Sequence, residues 1–131
     1  MKNKTILYVD DDEDDVELLK DLFEHNSLAP QLDAVNNSEE AMDYLKKRIK
    51  NLPCFILIDI NMPVINGLTL SRIIKDDPEL KHLSLALLST TTNAVYEDLA
   101  LSLGISIYRK PSSLLEIKQF TEVIVQLCKC L

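Results

Sequence analysis

An uninterrupted apolar run at residues 55–58 (Phe-Ile-Leu-Ile) ends directly in a carboxylate, Asp59. Four consecutive apolar residues predict a strand that is buried on both faces, as in a parallel sheet covered by helices. A charge at the end of such a strand is expected at the rim of the sheet. In open parallel sheets, ligands bind at the edge formed by the C-terminal (carboxyl) ends of the strands. The run therefore predicts an α/β domain with Asp59 at its ligand-binding edge.

Strand-like and helix-like segments alternate along the rest of the chain. Strands are predicted at Thr5–Val9, 30–35, 54–58, 83–88 and 105–108. Helices are predicted over 13–25, after a cap at Asn37 or Ser38, over 68–75, after a cap at Asn93, and from Ser112 or Ser113 onward. Five βα units with short joins predict a doubly wound (βα)5, flavodoxin-like three-layer sandwich with a parallel sheet of order 2-1-3-4-5.

Four of the five predicted helices carry apolar residues at helical spacing, which we expect to face the sheet. For the fourth helix these are Val95, Leu99 and Leu103, and for the last they are Leu114, Ile117, Phe120, Ile124 and Leu127. The chain has two glycines, Gly67 and Gly104. Because so few turns rely on glycine, we expect both to mark special backbone sites, with Gly104 ending the fourth helix.

Composition narrows the class of protein. We expect residues 1–131 to form one domain with no output domain attached. A net charge of −7 argues against nucleic-acid binding, which requires a basic surface. The sequence contains no apolar stretch of membrane-spanning length, and we expect no signal peptide. The three cysteines lack metal-site spacing, and we interpret Cys128 and Cys130 as ordinary thiols of a cytoplasmic protein.

Polar residues of complementary chemistry follow four predicted strands. They are Asp10, Asp11 and Asp12 after the first, Asp59 after the third, Ser89 and Thr90 after the fourth, and Lys110 with Pro111 after the fifth. Two carboxylates ~4 Å apart repel by ~4 kcal/mol at an effective dielectric of ~20, and a divalent cation offsets this. All-oxygen ligands favour Mg²⁺. A carboxylate beside Mg²⁺, with an ammonium and a hydroxyl nearby, is suited to attack on phosphorus.

Four segments of the chain match a known family in order and spacing. They are residues 6–12 (Ile-Leu-Tyr-Val-Asp-Asp-Asp), 58–67 (Ile-Asp-Ile-Asn-Met-Pro-Val-Ile-Asn-Gly), 87–90 (Leu-Leu-Ser-Thr) and 110–111 (Lys-Pro). With these segments the chain resembles the receiver domain of two-component response regulators, of the single-domain, chemotaxis-regulator-like type. Each segment alone is weak, whereas the four together are specific.

The resemblance implies a role for each matching residue. Asp59 would be the phosphoacceptor and a Mg²⁺ ligand, Asp11 a direct ligand, Asp10 its water-mediated neighbour, and Asn61 a ligand through its backbone carbonyl. Ser89 would be the switch hydroxyl and Lys110 the ammonium that meets the phosphoryl group. Pro111 would follow a cis peptide bond, and Asn61 and Thr91 would flank the path of attack. We interpret Asp12, Asp14 and Asp15 as helix N-terminal charges.

The resemblance also implies a function. Asp59 would accept a phosphoryl group from a phosphohistidine of a sensor kinase or phosphotransfer protein, and the domain would switch shape to control a partner protein. Beyond its own phosphorylation and dephosphorylation, it would not be an enzyme. Two alternatives are a degenerate, phosphorylation-independent binding module and a haloacid-dehalogenase-type phosphatase. The phosphatase places an acid/base Asp two residues after its nucleophile, where this chain has Asn61.

One position departs from the family pattern. An aromatic switch residue commonly lies three residues before the lysine, where this chain has Ile107 followed by Tyr108. Adjacent side chains on a strand face opposite ways, so Tyr108 is not expected to substitute. We therefore expect signalling to depend on movement of the loop after Ser89.

Overall fold

A computed structural model describes residues 4–90 and 93–129. The strands are β1 Thr5–Val9, β2 Gln31–Val35, β3 Phe55–Asp59, β4 Leu85–Ser89 and β5 Ser106–Arg109. The helices are α1 Glu13–Glu24, α2 Ser38–Lys47, α3 Gly67–Asp76, α4 Ala94–Ser102 and α5 Leu114–Lys129. The predicted alternation is confirmed, with boundaries that differ by a few residues.

The five strands form one parallel sheet in the predicted order β2-β1-β3-β4-β5. Its register pairs Val9 with Ile58, and Asp59 with Leu88. Just past β5, the backbone N–H of Lys110 donates to the carbonyl of Ser89 at 2.7 Å. The carboxyl ends of β1, β3, β4 and β5 therefore meet at one edge of the sheet.

Alternate strand residues enter two separate cores, one on each face of the sheet. Leu7, Ile56 and Leu87 pack with α2, α3 and α4, whereas Ile6, Leu57 and Leu88 pack with α1 and α5. Complete burial of one such side chain stabilises a fold by about 1.5–3 kcal/mol. Because β1, β3 and β4 are buried on both faces, their ends are held in fixed positions.

Helix boundaries follow from side-chain caps. Asp12 caps α1, Asn37 caps α2, and Asn66 and Asn93 cap α3 and α4, each accepting backbone N–H groups of the first turn. Gly104 follows the C-terminus of α4 with φ of 70°, as predicted for a helix-ending glycine.

Two predictions of buried side chains are wrong. Leu114 is 65% exposed and Val95 is 63% exposed. Both lie in the first turn of a helix that begins beyond the carboxyl edge of the sheet. Helical spacing continues into that turn, but the apolar surface of the strands has already ended. Within the described part of the chain, no helix combines the length and the hydrophobicity needed to cross a bilayer.

Candidate functional site

Asp59 ends the central strand β3 and is only 4% exposed. Its Oδ1 accepts the backbone N–H of Asn61 at 3.2 Å, and its Oδ2 accepts from Nζ of Lys110 at 3.3 Å. Both carboxylate oxygens are therefore oriented by neighbouring groups. Asn61 also donates through its side-chain amide to Oγ1 of Thr90 at 3.2 Å, which connects this loop to the end of β4.

Asp10 and Asp11 lie beside Asp59. Each of the three offers a carboxylate oxygen, and these oxygens all lie within 4.8 Å of one another. Asp10 is 1% exposed, whereas Asp11 is exposed to solvent. Hard oxygen donors so grouped fit a divalent cation such as Mg²⁺, with Asp11 on the side open to water. The predicted grouping of these three carboxylates is confirmed.

Lys110 supplies the positive charge of the site. Its Nζ lies 2.8 Å from Oδ2 of Asp10, 2.8 Å from Oδ2 of Asp15 and 3.3 Å from Oδ2 of Asp59. Burial disfavours the charged form, but hydrogen bonds to Asp10 and Asp15 outweigh burial and raise the pKa of Lys110 above its ordinary value. The ammonium is therefore permanently charged at the point where three carboxylates converge.

Asp15 was missed as a site residue because its place in the first turn of α1 explains its charge without any ligand. The signal was weak: Asp15 is the last residue of the acidic run at 10–15, about one helical turn after Asp11, so its side chain can turn back toward the start of that run. Asp12 does act as a helix N-terminal group, as predicted, accepting from the backbone of Asp14 at 3.0 Å.

Tyr8 is a second residue that the sequence reasoning missed. Its buried hydroxyl donates to Oδ2 of Asp10 at 2.5 Å, while Oδ1 of Asp10 accepts the backbone N–H of Asp12 at 2.9 Å. Burial and the adjacent Asp10 charge raise the pKa of Tyr8 above its usual value, so the hydroxyl remains a donor. Strand periodicity could have revealed it, because residues two apart on a strand share a face.

Tyr8→Phe is expected to lower the free energy of unfolding by about 1.5–3 kcal/mol, because a hydrogen bond to a charged group is lost. It should also weaken Mg²⁺ binding by at least 10-fold, since groups that orient a metal ligand are typically worth about 10–100-fold in affinity. Urea unfolding and Mg²⁺ titration by calorimetry would measure the two effects.

Tyr44→Phe provides a matched control, since the Tyr44 hydroxyl donates to Oδ2 of Asp33 at 2.6 Å, away from the site. It should leave Mg²⁺ affinity unchanged. Equal Mg²⁺ affinities of the wild type and Tyr8→Phe would show that Tyr8 does not position Asp10.

The charge state of Asp59 depends on opposing influences. Burial raises the pKa of its carboxyl group from 3.8 to about 6, with a further upward contribution from Asp10, while Lys110 acts in the opposite direction. At neutral pH the carboxylate form predominates, so Asp59 is available as a nucleophile. Its charge is nevertheless costly in the folded state without a cation.

We expect the Asp59 carboxyl group of the metal-free protein to titrate near pH 6. Because this pKa exceeds the unfolded value, the resulting stabilisation is complete below about pH 4 and is lost as pH rises through 6. Carboxyl ¹³C NMR, with Asp59→Asn to assign the resonance, would measure the titration. A midpoint below the ordinary value of 3.8 would mean that Lys110 outweighs burial.

Ser89 ends β4 and is 3% exposed. Since Leu88 pairs with Asp59, Ser89 lies one residue beyond the partner of Asp59, at the same edge. Its carbonyl is the acceptor for Lys110 described above. Thr91, predicted to flank the path of attack, lies outside the described residues.

Ile107 and Tyr108 face opposite sides of the sheet, as predicted. Ile107 packs with the core under α2, α3 and α4, whereas Tyr108 packs with the core under α1 and α5. The Tyr108 ring meets the ring of Phe120 edge-on, with centroids 6.0 Å apart. Tyr108 is thus part of a different core from Ile107.

The expected cis bond before Pro111 is wrong, because no cis peptide bond occurs among the described residues. The Lys-Pro dipeptide did not decide the isomer, since cis and trans X–Pro bonds differ by only about 0.5–1 kcal/mol and the surrounding structure selects between them.

Gly67 is required where α3 approaches the strand that carries Asp59. A Cβ atom at Gly67 would lie 2.4 Å from the backbone oxygen of Asp59 and 2.8 Å from Cγ2 of Ile58. Any other residue would push α3 away from β3. The prediction of a special backbone site at Gly67 is confirmed.

The chain matches known proteins both in sequence and in fold. Residues 6–122 match the family model described as the response regulator receiver domain. The polar-differentiation response regulator DivK of Brucella anthropi is 32% identical over 80 residues, and the match spans 61% of each chain, about three fifths of that relative's length. The phosphorylated cyanobacterial phytochrome response regulator RcpA superposes with a TM-score of 0.87 at 26% identity, covering 98% of this chain and 95% of that one. The Mn²⁺-bound response regulator Rcp1 shares the fold, with a TM-score of 0.81 at 24% identity over 92% and 91% of the two chains.

Proposed function

Because the chain belongs to the response regulator receiver family of two-component signalling, we propose that Asp59 accepts a phosphoryl group from a phosphohistidine on a sensor kinase or phosphotransfer protein. The observation that carries the proposal is the environment of Asp59. One carboxylate at the sheet edge lies both within a group of three acids and against the buried ammonium of Lys110.

In the proposed reaction a carboxylate oxygen of Asp59 attacks phosphorus. The new O–P bond forms as the P–N bond to imidazole breaks, and the imidazole leaves with the electron pair. Negative charge on the phosphoryl oxygens is met by Nζ of Lys110, which is within reach of Asp59 at 3.3 Å. The hydroxyl of Ser89, at the adjacent strand end, is the proposed hydrogen-bond donor to a phosphoryl oxygen.

Asp10, Asp11, Asp59 and the backbone carbonyl of Asn61 are the proposed Mg²⁺ ligands. When bound, the cation would neutralise negative charge on the phosphoryl oxygens. Support for the site comes from its chemistry, since its side-chain donors are carboxylate oxygens. Tyr8 and the backbone of Asp12 hold Asp10 in place for this role.

Phosphorylation would act by shifting a population of conformers. A phosphoryl group adds about −1.5 to −2 charges beside Lys110 and Ser89. Lys110 also contacts Asp10 and Asp15, so its movement toward a phosphoryl group would loosen α1 from the site. The proposed readout surface comprises α4, β5 and α5, and its proposed partner is a cytoplasmic protein.

The function is tested with acetyl phosphate as a small phosphoryl donor. With Mg²⁺, the intact mass should increase by one phosphoryl group, and EDTA should prevent the increase. No adduct from this donor or from any sensor kinase tested would favour the phosphorylation-independent module. Sustained turnover of generic phosphate esters would favour the phosphatase. A phosphotransfer profile against purified sensor kinases would identify the physiological donor.

Ile107→Tyr is expected to leave phosphorylation by acetyl phosphate unchanged, because the Ile107 side chain packs against the apolar core under α2, α3 and α4. The measurement is the rate of adduct formation by intact mass. Ile107→Val, which changes volume without adding an aromatic ring, is the control. Loss of phosphorylation in Ile107→Tyr alone would show that this core is coupled to the acceptor carboxylate.

A further inference from the structure

Two cysteines that are far apart in the chain lie together at the edge of the sheet opposite the candidate site. Sγ of Cys54 is 3.5 Å from Sγ of Cys128, although 74 positions separate them. Cys54 directly precedes β3, whereas Cys128 lies in the last turn of α5 and is 2% exposed. The spacing in sequence gave no reason to pair them.

The surroundings of the pair make the two thiols chemically different. The hydrogen-bond contact with Cys128 and the nearby Lys4 ammonium lower the pKa of Cys54 to about 7 against the effect of burial. The contact with Cys54, together with burial, raises the pKa of Cys128. At neutral pH, Cys54 is therefore ionised to a substantial extent, whereas Cys128 stays a protonated thiol.

The structure also exposes Cys54 to small oxidants and holds the segment that carries Cys128 in place. Cys54 lines an open cleft together with Lys4, Arg48 and Lys50, so small polar oxidants reach its sulfur from solvent. Nζ of Lys4 donates to the backbone carbonyl of Cys128 at 2.6 Å, which holds the last turn of α5 against the start of β1. A reactive thiol with a second thiol in contact meets the geometric requirement for reversible oxidation.

We propose that Cys54 and Cys128 form a reversible intramolecular disulfide that clamps the end of α5 to the start of β3 when the protein meets peroxide. An S–S bond is about 2.05 Å long, so the sulfurs approach by about 1.5 Å, a distance that side-chain rotation supplies. Formation of this disulfide does not require phosphorylation of Asp59, which lies at the other end of β3.

The proposed chemistry has two steps. The Cys54 thiolate attacks one oxygen of hydrogen peroxide, the O–O bond breaks, and the departing hydroxide takes a proton from solvent to leave Cys54 as a sulfenic acid. Cys128 then attacks the Cys54 sulfur, the S–O bond breaks, and the departing hydroxide takes the Cys128 proton. Two thiols and one peroxide thus give one disulfide and two waters. A small thiol reductant reverses the reaction by exchange.

The test oxidises the folded protein with hydrogen peroxide and then alkylates the remaining thiols. We expect an intact mass lower by two hydrogens, a single alkylated cysteine, and a peptide map that joins Cys54 to Cys128. Cys130→Ser is the matched control, and it should form the same disulfide with no alkylated thiol left. Cys54→Ser, at a half-buried position, should remain unlinked without threatening the fold.

A second measurement detects the disulfide through its effect on thermal stability. Because the bond closes a long loop, oxidation should raise the thermal midpoint by about 5–15 °C in the wild type and in Cys130→Ser, and dithiothreitol should reverse the rise. Cys54→Ser should show no rise. Three alkylated cysteines after peroxide treatment, or a map joining Cys130 to either partner or linking two molecules, would overturn the proposal.

Discussion

Asp59→Asn is expected to eliminate phosphoryl incorporation from acetyl phosphate completely, the largest functional effect of any single substitution in this chain. An amide has no carboxylate oxygen to attack phosphorus, and its introduction also removes one of the three grouped carboxylates. The fold should survive, because Asn preserves the size of the side chain and can still accept the backbone N–H of Asn61. Without divalent cations the variant should be more stable than the wild type at pH 7, since the Asp59 charge is disfavoured by burial.

Asp12→Asn is a suitable control for this experiment. Asp12 belongs to the same acidic run, but its carboxylate caps α1, and Asn serves that position about as well. The control should therefore be phosphorylated at the wild-type rate. If Asp59→Asn still formed the adduct, another carboxylate would be the acceptor. Asp11, which is exposed, would be the first to test.

Lys110→Met is expected to produce the largest change in stability. Its side chain is 10% exposed, and its ammonium contacts Asp10, Asp15 and Asp59. An apolar side chain in its place leaves the buried carboxylates of Asp10 and Asp59 without a counter-charge. Removing one partner from a buried charge pair typically destabilises a protein by about 3–5 kcal/mol. We expect a loss of about 3 kcal/mol in urea unfolding at neutral pH with EDTA present.

Mg²⁺ should partly reverse that loss. Lys110 and a divalent cation both compensate the charges of Asp10 and Asp59, so the variant should gain more stability from saturating Mg²⁺ than the wild type does. Lys46→Met is the control, because the Lys46 side chain is 46% exposed in its ion pair with Asp77 and should contribute little. Equal Mg²⁺-induced stabilisation of the wild type and Lys110→Met would refute the idea that the two cations compensate the same charges.

The features that were predicted correctly depend on neighbouring residues or on a repeating pattern of apolar residues. The run that ends in Asp59 identified β3 because four apolar residues in succession fit a strand buried on both faces. Helix caps and helix ends could be predicted because each depends on a few neighbouring residues. Examples are the caps at Asn37 and Asn93 and the helix end at Gly104. The strand order was predicted from the doubly wound arrangement of five βα units, and it was enough to bring Asp10, Asp59, Ser89 and Lys110 to one edge.

The errors and omissions have a different origin. Leu114 continues the helical spacing of α5, but whether a sheet lies beneath that turn is a property of the assembled layers. The isomer of the bond before Pro111 depends on the packing of its loop. The contact of Asp15 with Lys110 joins residues 95 positions apart (110 − 15), and it was not predicted because an acid in the first turn of a helix already has a sufficient local explanation.

By itself, the sequence determined the alternation of strands and helices, the residues at the carboxyl ends of the strands and the chemical class of the site, because these depend on periodicity and on residue type. Only the tertiary structure decided that Lys110 balances three carboxylates and that Cys54 meets Cys128 at the opposite edge of the sheet. Distances of a few ångströms between side chains far apart in the chain arise from the packing of two helical layers on one sheet. No local pattern of residues encodes them.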